Sequence, residues 1–520
     1  MARPVSMTSH GGCLKSADKK IAFRVDASSQ IGTGHFMRCL SLADGLNQRG
    51  AQIRFVCRHL PEHLEDTLVA RGYAFMPLNS GSNDAIAGDL AHAHWLGVSQ
   101  AQDAADTIHA LSDQFWDWLI VDHYALDIRW ETELRKSARN IFVIDDIADR
   151  QHDCDLLLDQ NFYTDMGARY IEKVPPHCRL LLGPRYALLR DEFRQLRERV
   201  KPRTGAVKRV LVFFGGVDAD NFAGRVIEAL ADTDIKGSKV DVVIGVQHPQ
   251  RDAIESACAE HQFDCHVQTN RMAELMAAAD LAIGAGGSAT WERCCLGLPA
   301  FVICTAANQV RQVADAASEG WLYAPELKGE LVEEIQCHLR ILLANNCLRR
   351  AISSNGMQVV DGCGVLRVMG NMRCGSIEIR IASHEDSEKV FEWRNHPTVR
   401  AVSRNREVIH WKTHQKWFEE VLASPDRLLL IGQRKGAPVG VARFDIRGNE
   451  AEVSIYLAPD ITEVGSGRDL LQSAEHWLKT NRPEVSRLMA HVLGDNGRSH
   501  RLFAGMDYQI ESTIYSKVLQ

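Results

Sequence analysis

A histidine stands in a glycine-rich turn near the start of the chain, in the run RVDASSQIGTGHFMRC, where Gly32 and Gly34 precede His35. Imidazole is the side chain most often used to take a proton from an attacking water near neutral pH. Glycines at these positions let backbone amides approach a ligand closely. The run therefore indicates either acid–base chemistry by His35 beside a bound phosphate or a histidine that only caps the following helix.

A second glycine-rich run, LAIGAGGSATWERCCLGLP, combines Gly286, Gly287 and Ser288 with an acid, Glu292, about one turn further on. Free backbone N–H groups and the helix dipole at such a turn favour a pyrophosphate. The Glu292 carboxylate is suited to accept hydrogen bonds from both ribose hydroxyls, although a first-turn acid is also stabilised by the dipole alone. The run predicts an anion site, with Ser288 capping a helix that begins near Thr290.

Two further features are candidates for the same cleft. Gly215 and Gly216 form a turn in FFGGVDADN, and Asp26 and Asp122 each follow an apolar run. Acids at strand ends either face the ligand crevice or simply form turns, and both interpretations stay open. All four residues are predicted to contribute to substrate binding.

The predicted strands and helices that position these residues follow one pattern, which occurs twice in the chain. From Ile21 to about Arg194, and again after RERVKPRTGAVK, short apolar runs alternate with helical patterns. Uninterrupted apolar runs are typical of parallel strands that are buried on both faces, with crossover helices between them. We therefore predict two doubly wound lobes, at residues 21–200 and 201–368, that face each other across a cleft.

The last part of the chain has a different pattern. A glycine-bearing linker at 369–376 precedes the runs RLLLIGQRKG, PVGVARFDIRGN and EAEVSIYLAP, which follow one another through short turns. Adjacent strands joined in this way form an antiparallel sheet, so residues 377–520 are predicted to be a separate α+β domain. Residues 1–20 lack the apolar centre of a secretory signal and are interpreted as a disordered extension.

Composition narrows the classes of function. The formal net charge of -7 argues against a nucleic-acid partner, because binding a phosphate backbone requires a basic surface. No apolar run approaches the roughly 18 residues that span a bilayer, so no membrane partner is expected. The 14 cysteines are scattered, and the neighbours Cys294 and Cys295 cannot chelate a metal as C-x-x-C does. We expect buried thiols in a reducing cytoplasm, and no metal.

The motifs of residues 21 to about 368 carry a family resemblance: RVDASSQIGTGHFMRC, VDHYALD, VIDDIADRQHDCDLLLDQN, LLGPRYALLR, FFGGVDADN and GAGGSATWERCCLGLP. In this order they resemble the UDP-sugar hydrolases of bacterial pseudaminic acid biosynthesis, a pathway associated with flagellin glycosylation. Those enzymes release UDP from UDP-2,4-diacetamido-2,4,6-trideoxy-β-L-altropyranose and are similar in fold to two-lobed GT-B glycosyltransferases. The resemblance implies that His35 is the general base or water-positioning group, that the second lobe holds UDP and that no metal is required. Ala289 stands where the family has a hydroxyl residue.

Residues 377–520 resemble GNAT acetyltransferases through the segments EWRNHPTVR, HWKTHQKWF, VGVARFD, VSIYLAP, VGSGRDLL and HVLGDNGRSHRLFAGMDY. The likeness is greatest to enzymes that acetylate the 4-amino group of the UDP-linked sugar just before hydrolysis. It implies acetyl-CoA as co-substrate, held by Leu457, Gly465, Ser466, Gly467, Arg468, Asn496 and Ser499.

Two positions depart from the GNAT pattern. Thr462 replaces a usual arginine or glutamine, and Phe503 replaces the tyrosine that protonates the leaving thiolate. Tyr508 or Tyr515 could take over that catalytic role, or each could pack its ring against the sheet.

The two resemblances together predict an α/β chain with two GT-B-like doubly wound lobes followed by an α+β GNAT domain. They predict a bifunctional enzyme that N-acetylates a UDP-4-amino sugar with acetyl-CoA and then hydrolyses off UDP. UDP-sugar and acetyl-CoA are the expected partners, with contact to other enzymes of the pathway as a further option. Two alternatives stay open: a GT-B-type glycosyltransferase that uses a UDP-sugar, and a GNAT-like module without catalytic activity.

Overall fold

The computed structural model describes residues 19–28, 30–79, 89–233, 235, 237–372, 377–434, 436–461, 466–504, 506 and 508–511. The chain forms two compact units, Met1–Met369 and Gly370–Gln520. The first unit contains two parallel sheets and the second contains one mixed sheet. The predicted fold class is confirmed: two Rossmann-like lobes of the GT-B type are followed by a GNAT-like α+β unit.

The first lobe has seven strands: β1 (Lys20–Val25), β2 (Gln52–Cys57), β3 (Ala74–Pro77), β4 (Trp116–Asp122), β5 (Ala138–Ile144), β6 (Leu156–Asp159) and β7 (Arg179–Leu182). Its helices are α1 (Gly34–Asn47), α2 (Glu62–Ala70), α3 (Gln100–Ala110), α4 (Ile128–Leu134) and α5 (Asp191–Arg197). The strands are parallel and lie in the order β3-β2-β1-β4-β5-β6-β7. β1 and β4 are buried along almost their whole length, which is why their sequences are apolar without alternation.

The second lobe has five strands: β8 (Arg209–Phe213), β9 (Lys239–Ile244), β10 (Asp264–Val267), β11 (Leu281–Ala285) and β12 (Ala300–Ile303). Its helices are α6 (Phe222–Ala231), α7 (Arg251–Glu260), α8 (Met272–Ala278), α9 (Ser288–Cys295), α10 (Val310–Ser318), α11 (Leu331–Ala344) and α12 (Asn346–Val359), and α13 (Gly364–Asn371) follows them. The parallel order β10-β9-β8-β11-β12 repeats the central order of the first sheet.

Two helices, α5 and α13, cross between the lobes. Ala187 and Phe193, which the sequence assigns to the first lobe, pack in the hydrophobic core of the second. α13 returns to the first lobe, where a Cβ at Gly45 of α1 would lie only 2.7 Å from Val365. The predicted lobe boundary at residue 200 therefore lies after the segment that packs with the second lobe. Residues 369–371 of the predicted linker belong to α13, and residues 373–376 lie outside the described ranges.

The second unit has the strands β13 (Glu378–Ile381), β14 (Arg427–Arg434), β15 (Ala437–Arg447), β16 (Glu450–Leu457) and β17 (Arg487–Met489). Its helices are α14 (Ser387–Asn395), α15 (Pro397–Ala401), α16 (Trp411–Ala423), α17 (Ser466–Asn481) and α18 (Gly497–Ala504). β13 to β16 pair antiparallel, as predicted, whereas β17 joins β16 in parallel.

The twelve cysteines in the described ranges are free thiols. Cys304, Cys337 and Cys347 are exposed, so the expectation of uniformly buried thiols is wrong at these positions. Among the described helices, none is both long enough and apolar enough to cross a membrane.

Candidate functional site

The two lobes of the first unit enclose a cleft at the carboxyl ends of their strands. It consists of two adjoining cavities of about 470 Å³ and 340 Å³. Gly32 and Gly34 line both cavities from the first lobe, and Gly215, Gly216 and Ser288 line both from the second. The structure thus brings together the glycine turns that the sequence places about 180 and 250 residues apart.

The first lobe places His35 and Asp122 at the point where its strand order reverses. β1 leads into α1, whose second residue is His35, and the neighbouring β4 ends at Asp122. β1 and β4 pair in parallel with Val25 opposite Asp122, so the loops after both strands open at the same edge. Open α/β sheets bind ligands at this reversal point.

His35 is oriented by a buried carboxylate. Its Nδ1 lies 2.6 Å from Oδ1 of Asp122, whose side chain is fully buried. Arg38 Nη2 also lies 3.1 Å from Nδ1, but the closer Asp122 carboxylate can only accept a hydrogen bond. We therefore assign the proton of the neutral ring to Nδ1, which leaves the lone pair on Nε2. Within the described ranges Nε2 has no hydrogen-bond partner, and His35 lines the smaller cavity. This nitrogen can therefore accept a proton from a molecule in the cleft.

Arg38, one turn further along α1, keeps Asp122 charged. Its Nε donates to Oδ2 of Asp122 at 2.6 Å and its Nη2 to Oδ1 at 2.7 Å, while Nη1 donates to Asp146 at 2.8 Å. Burial alone would raise the pKa of Asp122, but Arg38 and His35 hold that pKa well below its usual range. Sequence reasoning missed Arg38, although an arginine three residues after His35 lies on the same side of a helix.

Aromatic side chains also pack against the His35 imidazole. The Tyr124 ring meets His35 edge to face at a centroid distance of 4.7 Å, and Trp95 stacks on Tyr124 at 5.5 Å. The Tyr124 hydroxyl donates to Asp146, the carboxylate that also accepts from Arg38. His35 is thus held by hydrogen bonds and by ring packing, which limits its motion in the cleft.

Asp26 has a different environment from the one predicted. Its carboxylate is fully buried and accepts from Arg24 Nη1 at 2.6 Å and from the Arg58 backbone N–H at 2.7 Å. It lines neither cavity. We therefore correct the expectation that Asp26 contacts the substrate; Asp122 likewise reaches the cleft only through His35 and Arg38.

In the second lobe the strand order reverses between β8 and β11, and the backbone of two glycine turns lies at this point. Gly215 has a φ of 102° and Gly287 a φ of 83°, a region that favours glycine. Gly287 is the N-cap of α9, and no side chain caps this helix. The prediction that Ser288 caps a helix starting near Thr290 is therefore wrong, because Ser288 is already the first helical residue. Ser288 and Ala289 of this uncapped first turn line the cleft, so its backbone N–H groups are suited to an anion site.

Glu292 lines the larger cavity from the first turns of α9. Its carboxylate is 20% exposed, and the nearest cation, Arg190 Nη2, lies 4.0 Å away. Burial raises the pKa of Glu292, and Arg190 opposes this shift only in part. The carboxylate therefore remains open to a ligand hydroxyl, and its contact to ribose stays a prediction.

Gln312 on α10 is a candidate that sequence reasoning missed. It lines the smaller cavity together with Gly286 and Gly287, and only 4% of its surface is exposed. Its Nε2 has no hydrogen-bond partner within the described ranges. A buried amide donor without a partner is costly unless a ligand supplies the acceptor.

The second unit has a wedge beside β16. Within the described ranges β17 pairs with β16 only at Glu450–Glu452, and the rest of β16, up to Leu457, pairs only with β15; we call this one-sided stretch the wedge. At the start of α17, Ser466 is buried, and a Cβ at Gly467 would meet only Leu502 at 3.9 Å. Arg468 Nε is buried and unbonded within the described ranges, whereas Gly465 and Thr462 lie outside them.

Three of the remaining GNAT candidates, Asn496, Ser499 and Tyr508, form contacts within the second unit. Asn496 Oδ1 accepts from the Ser499 backbone N–H at 3.1 Å, which caps α18. The Tyr508 hydroxyl donates to Glu475 at 2.7 Å, and its ring packs on Phe503 at 5.0 Å. Burial and Glu475 raise the pKa of Tyr508, so the geometry favours packing over proton donation there. Tyr515 lies outside the described residues.

No group of three or more His, Cys, Asp or Glu side chains within the described ranges is arranged to hold a metal ion.

Comparisons with known proteins match these two parts of the chain separately. Residues 388–508 match the acetyltransferase (GNAT) family, and residues 209–336 match the glycosyltransferase family 28 C-terminal domain. The chain therefore combines a nucleotide-sugar-related domain of the glycosyltransferase 28 kind with a GNAT acetyltransferase domain.

An uncharacterized protein of Methanocaldococcus jannaschii is 20% identical over 516 residues, which are 94% of this chain and 96% of that protein. The UDP-2,4-diacetamido-2,4,6-trideoxy-beta-L-altropyranose hydrolase of Campylobacter jejuni is 25% identical over 304 residues, covering 58% of this chain and 97% of that enzyme. MurG of Acinetobacter baumannii is a solved structure with 14% identity and a TM-score of 0.46, covering 68% of this chain and 99% of its own.

Proposed function

We propose that the first unit hydrolyses a UDP-linked diacetamido sugar to UDP and free sugar, and that the second N-acetylates the 4-amino precursor with acetyl-CoA. The observation that carries the proposal is His35, oriented by Asp122 at 2.6 Å, in a cleft whose opposite wall is the glycine turn before α9. The similarity to the Campylobacter hydrolase over nearly its whole length supports the choice of substrate.

In the proposed hydrolysis, Nε2 of His35 accepts a proton from water as the water oxygen attacks the anomeric carbon. The bond from that carbon to the UDP oxygen breaks, and its electron pair leaves with UDP. Backbone N–H groups of the turn at Gly286–Ser288 and the N-terminus of α9 take up the charge on the leaving diphosphate. Since these groups stabilise the leaving group, the proposed reaction requires no metal.

We assign the sugar to the smaller cavity, because His35 lines it and polar groups reach it from both lobes. The Gln312 amide N–H fits the carbonyl oxygen of an acetamido group, which would satisfy a donor that is otherwise unbonded. The larger cavity, lined by Glu292, would hold the uridine end of the substrate.

In the proposed acetyl transfer, the amine nitrogen of the sugar attacks the thioester carbonyl and the carbon–sulfur bond breaks. The nitrogen loses one proton, and the thiolate of CoA takes up one proton. The wedge beside β16 is the proposed pantetheine site. Arg394, Arg400 and Arg443 each keep a buried guanidinium nitrogen without a partner within the described ranges. Burial lowers the pKa of Arg394, and the nearby Arg443 and Arg400 lower it further. Arg443 also forms an ion pair with Asp445 at 2.9 Å, so Arg394 and Arg400 supply most of the positive charge that suits the diphosphate of a UDP-linked amine.

Arg400→Ala should therefore raise the KM for the UDP-amino sugar by about tenfold, since one diphosphate contact is lost. The KM for acetyl-CoA should stay unchanged, because the cofactor binds in the wedge. Arg447→Ala, at an exposed position of the same unit, is the matched control. Equal changes in both KM values would remove Arg400 from the sugar site.

The decisive experiment incubates the full chain with the UDP-linked 4-amino sugar, with and without acetyl-CoA, and measures UDP. UDP release only in the presence of acetyl-CoA supports both activities in the proposed order. Release without acetyl-CoA means that the hydrolase does not require the 4-acetamido group. No release from either the amino sugar or the diacetamido sugar contradicts the proposed hydrolysis.

A second candidate is a GT-B-type glycosyltransferase that uses a UDP-sugar, with a GNAT-like module that does not catalyse. The match of residues 209–336 to the glycosyltransferase family 28 C-terminal domain favours it. UDP release with water as the only acceptor separates hydrolysis from transfer, and acetyl-CoA binding measured by calorimetry tests the GNAT module.

A further inference from the structure

Arg293 is a buried arginine directly behind the glycine turn of the second lobe. It lies on α9, and only 3% of its surface is exposed. Its Nη2 donates to the carbonyl oxygen of Ala285 at 2.7 Å and to the Thr290 hydroxyl at 3.2 Å. Its Nη1 lies 3.1 Å from the place that a Cβ on Gly284 would take. The guanidinium is therefore packed against the end of β11, just before the turn that lines the cleft.

This guanidinium has no direct ion-pair partner, although the charge of the neighbouring Glu292 raises its pKa. No carboxylate within the described ranges forms an ion pair with it, and its Nε is buried without a hydrogen-bond partner. Arg24 and Arg38, which are also buried, each form ion pairs with two aspartates. Burial lowers the pKa of Arg293 to about 10, so the side chain is still cationic at neutral pH. A buried charge without a partner destabilises the fold unless something else compensates it.

The turn that Arg293 supports is where an anion would bind. Gly286, Gly287 and Ser288 line the cleft, and the first turn of α9 has no side-chain cap. Water and salt screen a buried charge poorly, so its field at the turn is stronger than that of a surface arginine.

We propose that Arg293 is an electrostatic anchor for the diphosphate of a bound nucleotide: its positive charge is compensated when a nucleoside diphosphate occupies the turn at Gly286–Ser288. It acts through the turn and α9 without touching the ligand, so it is a positioning residue. The inference rests on the proposed nucleotide site but is independent of which sugar is attached and of hydrolysis or transfer. It predicts that Arg293 contributes to affinity in proportion to the phosphate charge of the ligand.

The test measures the affinities of the full chain for UDP, UMP and uridine by calorimetry, with Arg293→Met and Arg293→Lys as variants. Methionine keeps much of the volume and removes the charge, so UDP should bind about tenfold more weakly while uridine binding changes by less than about twofold. UMP should show an intermediate loss. Lysine keeps the charge and should restore most of the UDP affinity, even though it cannot reproduce the fork of the guanidinium.

An equal loss for UDP and uridine in Arg293→Met would overturn the proposal, since it would mean that Arg293 only shapes the turn. Failure of Arg293→Lys to restore UDP binding would have the same consequence. If the methionine variant does not fold, the native chain still decides: at high salt UDP must bind at least about tenfold more tightly than uridine. Native protein that binds no UDP at all contradicts the nucleotide site itself, whereas UDP binding without this preference contradicts the diphosphate site at the turn and with it the role of Arg293.

Discussion

The two lobes of the first unit share a central strand order but place different groups at its reversal point. In the first lobe three side chains meet there, because Asp122 at the end of β4 accepts hydrogen bonds from both His35 and Arg38 of α1. In the second lobe the backbone of two glycine turns occupies the equivalent place, and the charged Arg293 lies behind it. The doubly wound sheet thus decides where a ligand binds, and the residues that follow its strands decide what happens to it.

This contrast predicts that variants of the first lobe lower turnover, whereas variants of the second lower nucleotide affinity. The largest effect is expected for His35→Ala, which removes the proposed proton acceptor. Its kcat for UDP release should fall by about 10²- to 10⁴-fold, the usual contribution of a general base. UDP affinity by calorimetry should stay within about twofold, since the nucleotide is bound by the other lobe. His261→Ala, at an exposed histidine, is the control; near-normal turnover in His35→Ala would exclude a catalytic role.

Asp122→Asn should lower kcat by about 100-fold, somewhat less than loss of the imidazole itself. The asparagine amide can donate to Nδ1, which would move the ring proton to Nε2 and leave no acceptor in the cleft. UDP affinity should again be retained, and the pH profile of kcat should change shape. Asp113→Asn, at a half-exposed aspartate, is the matched substitution. Loss of UDP affinity together with kcat would mean that Asp122 supports the whole cleft and not His35 alone.

Glu292→Gln should weaken UDP binding by about tenfold, because an amide accepts ribose hydroxyls less well than a carboxylate. Native protein should prefer UDP over 2′-deoxy-UDP, and this preference should shrink in the variant. Glu274→Gln, on an exposed side chain of the same lobe, should change neither value. An unchanged preference would show that the carboxylate does not contact ribose.

The smallest effect on activity is expected for His152→Gln, which tests the buried ion pairs of the first lobe. Burial opposes the charge of His152, but Glu131 and Asp145 raise its pKa from 6.5 to about 9. The protonated ring therefore stabilises the fold fully below pH 6.5, and this stabilisation is lost as the pH rises through 9. A shift of this size corresponds to about 3 kcal/mol of unfolding free energy.

Thermal unfolding of native and His152→Gln protein should therefore differ most at pH 6 and converge near pH 10. Native UDP affinity is expected in the variant at neutral pH. His261→Gln controls for the loss of an exposed imidazole. A difference in stability that does not depend on pH would mean that His152 is neutral in the folded protein.

The elements that the sequence predicted well are those with a strong local pattern. The uninterrupted apolar runs became the central strands, and the G-x-G-H run did place His35 in the first turn of a helix. β3 and β17 were missed, because they have four and three residues and only partial burial. The start of α9 was misplaced, because spacing alone does not reveal that Gly287, with its positive φ, is the N-cap.

The sequence by itself determined the fold class, the position of His35 and the glycine turns at 32–34, 215–216 and 286–287. Each of these features depends on residues that are near one another in the chain. Only the tertiary structure decided between Asp26 and Asp122, which look alike in the sequence because each follows a strand. Asp26 accepts from Arg24 inside the lobe, while parallel pairing of β1 with β4 brings Asp122 to His35. Arg38, Gln312 and Arg293 were likewise revealed by their surroundings, because a residue's partners and burial depend on how distant strands and helices pack.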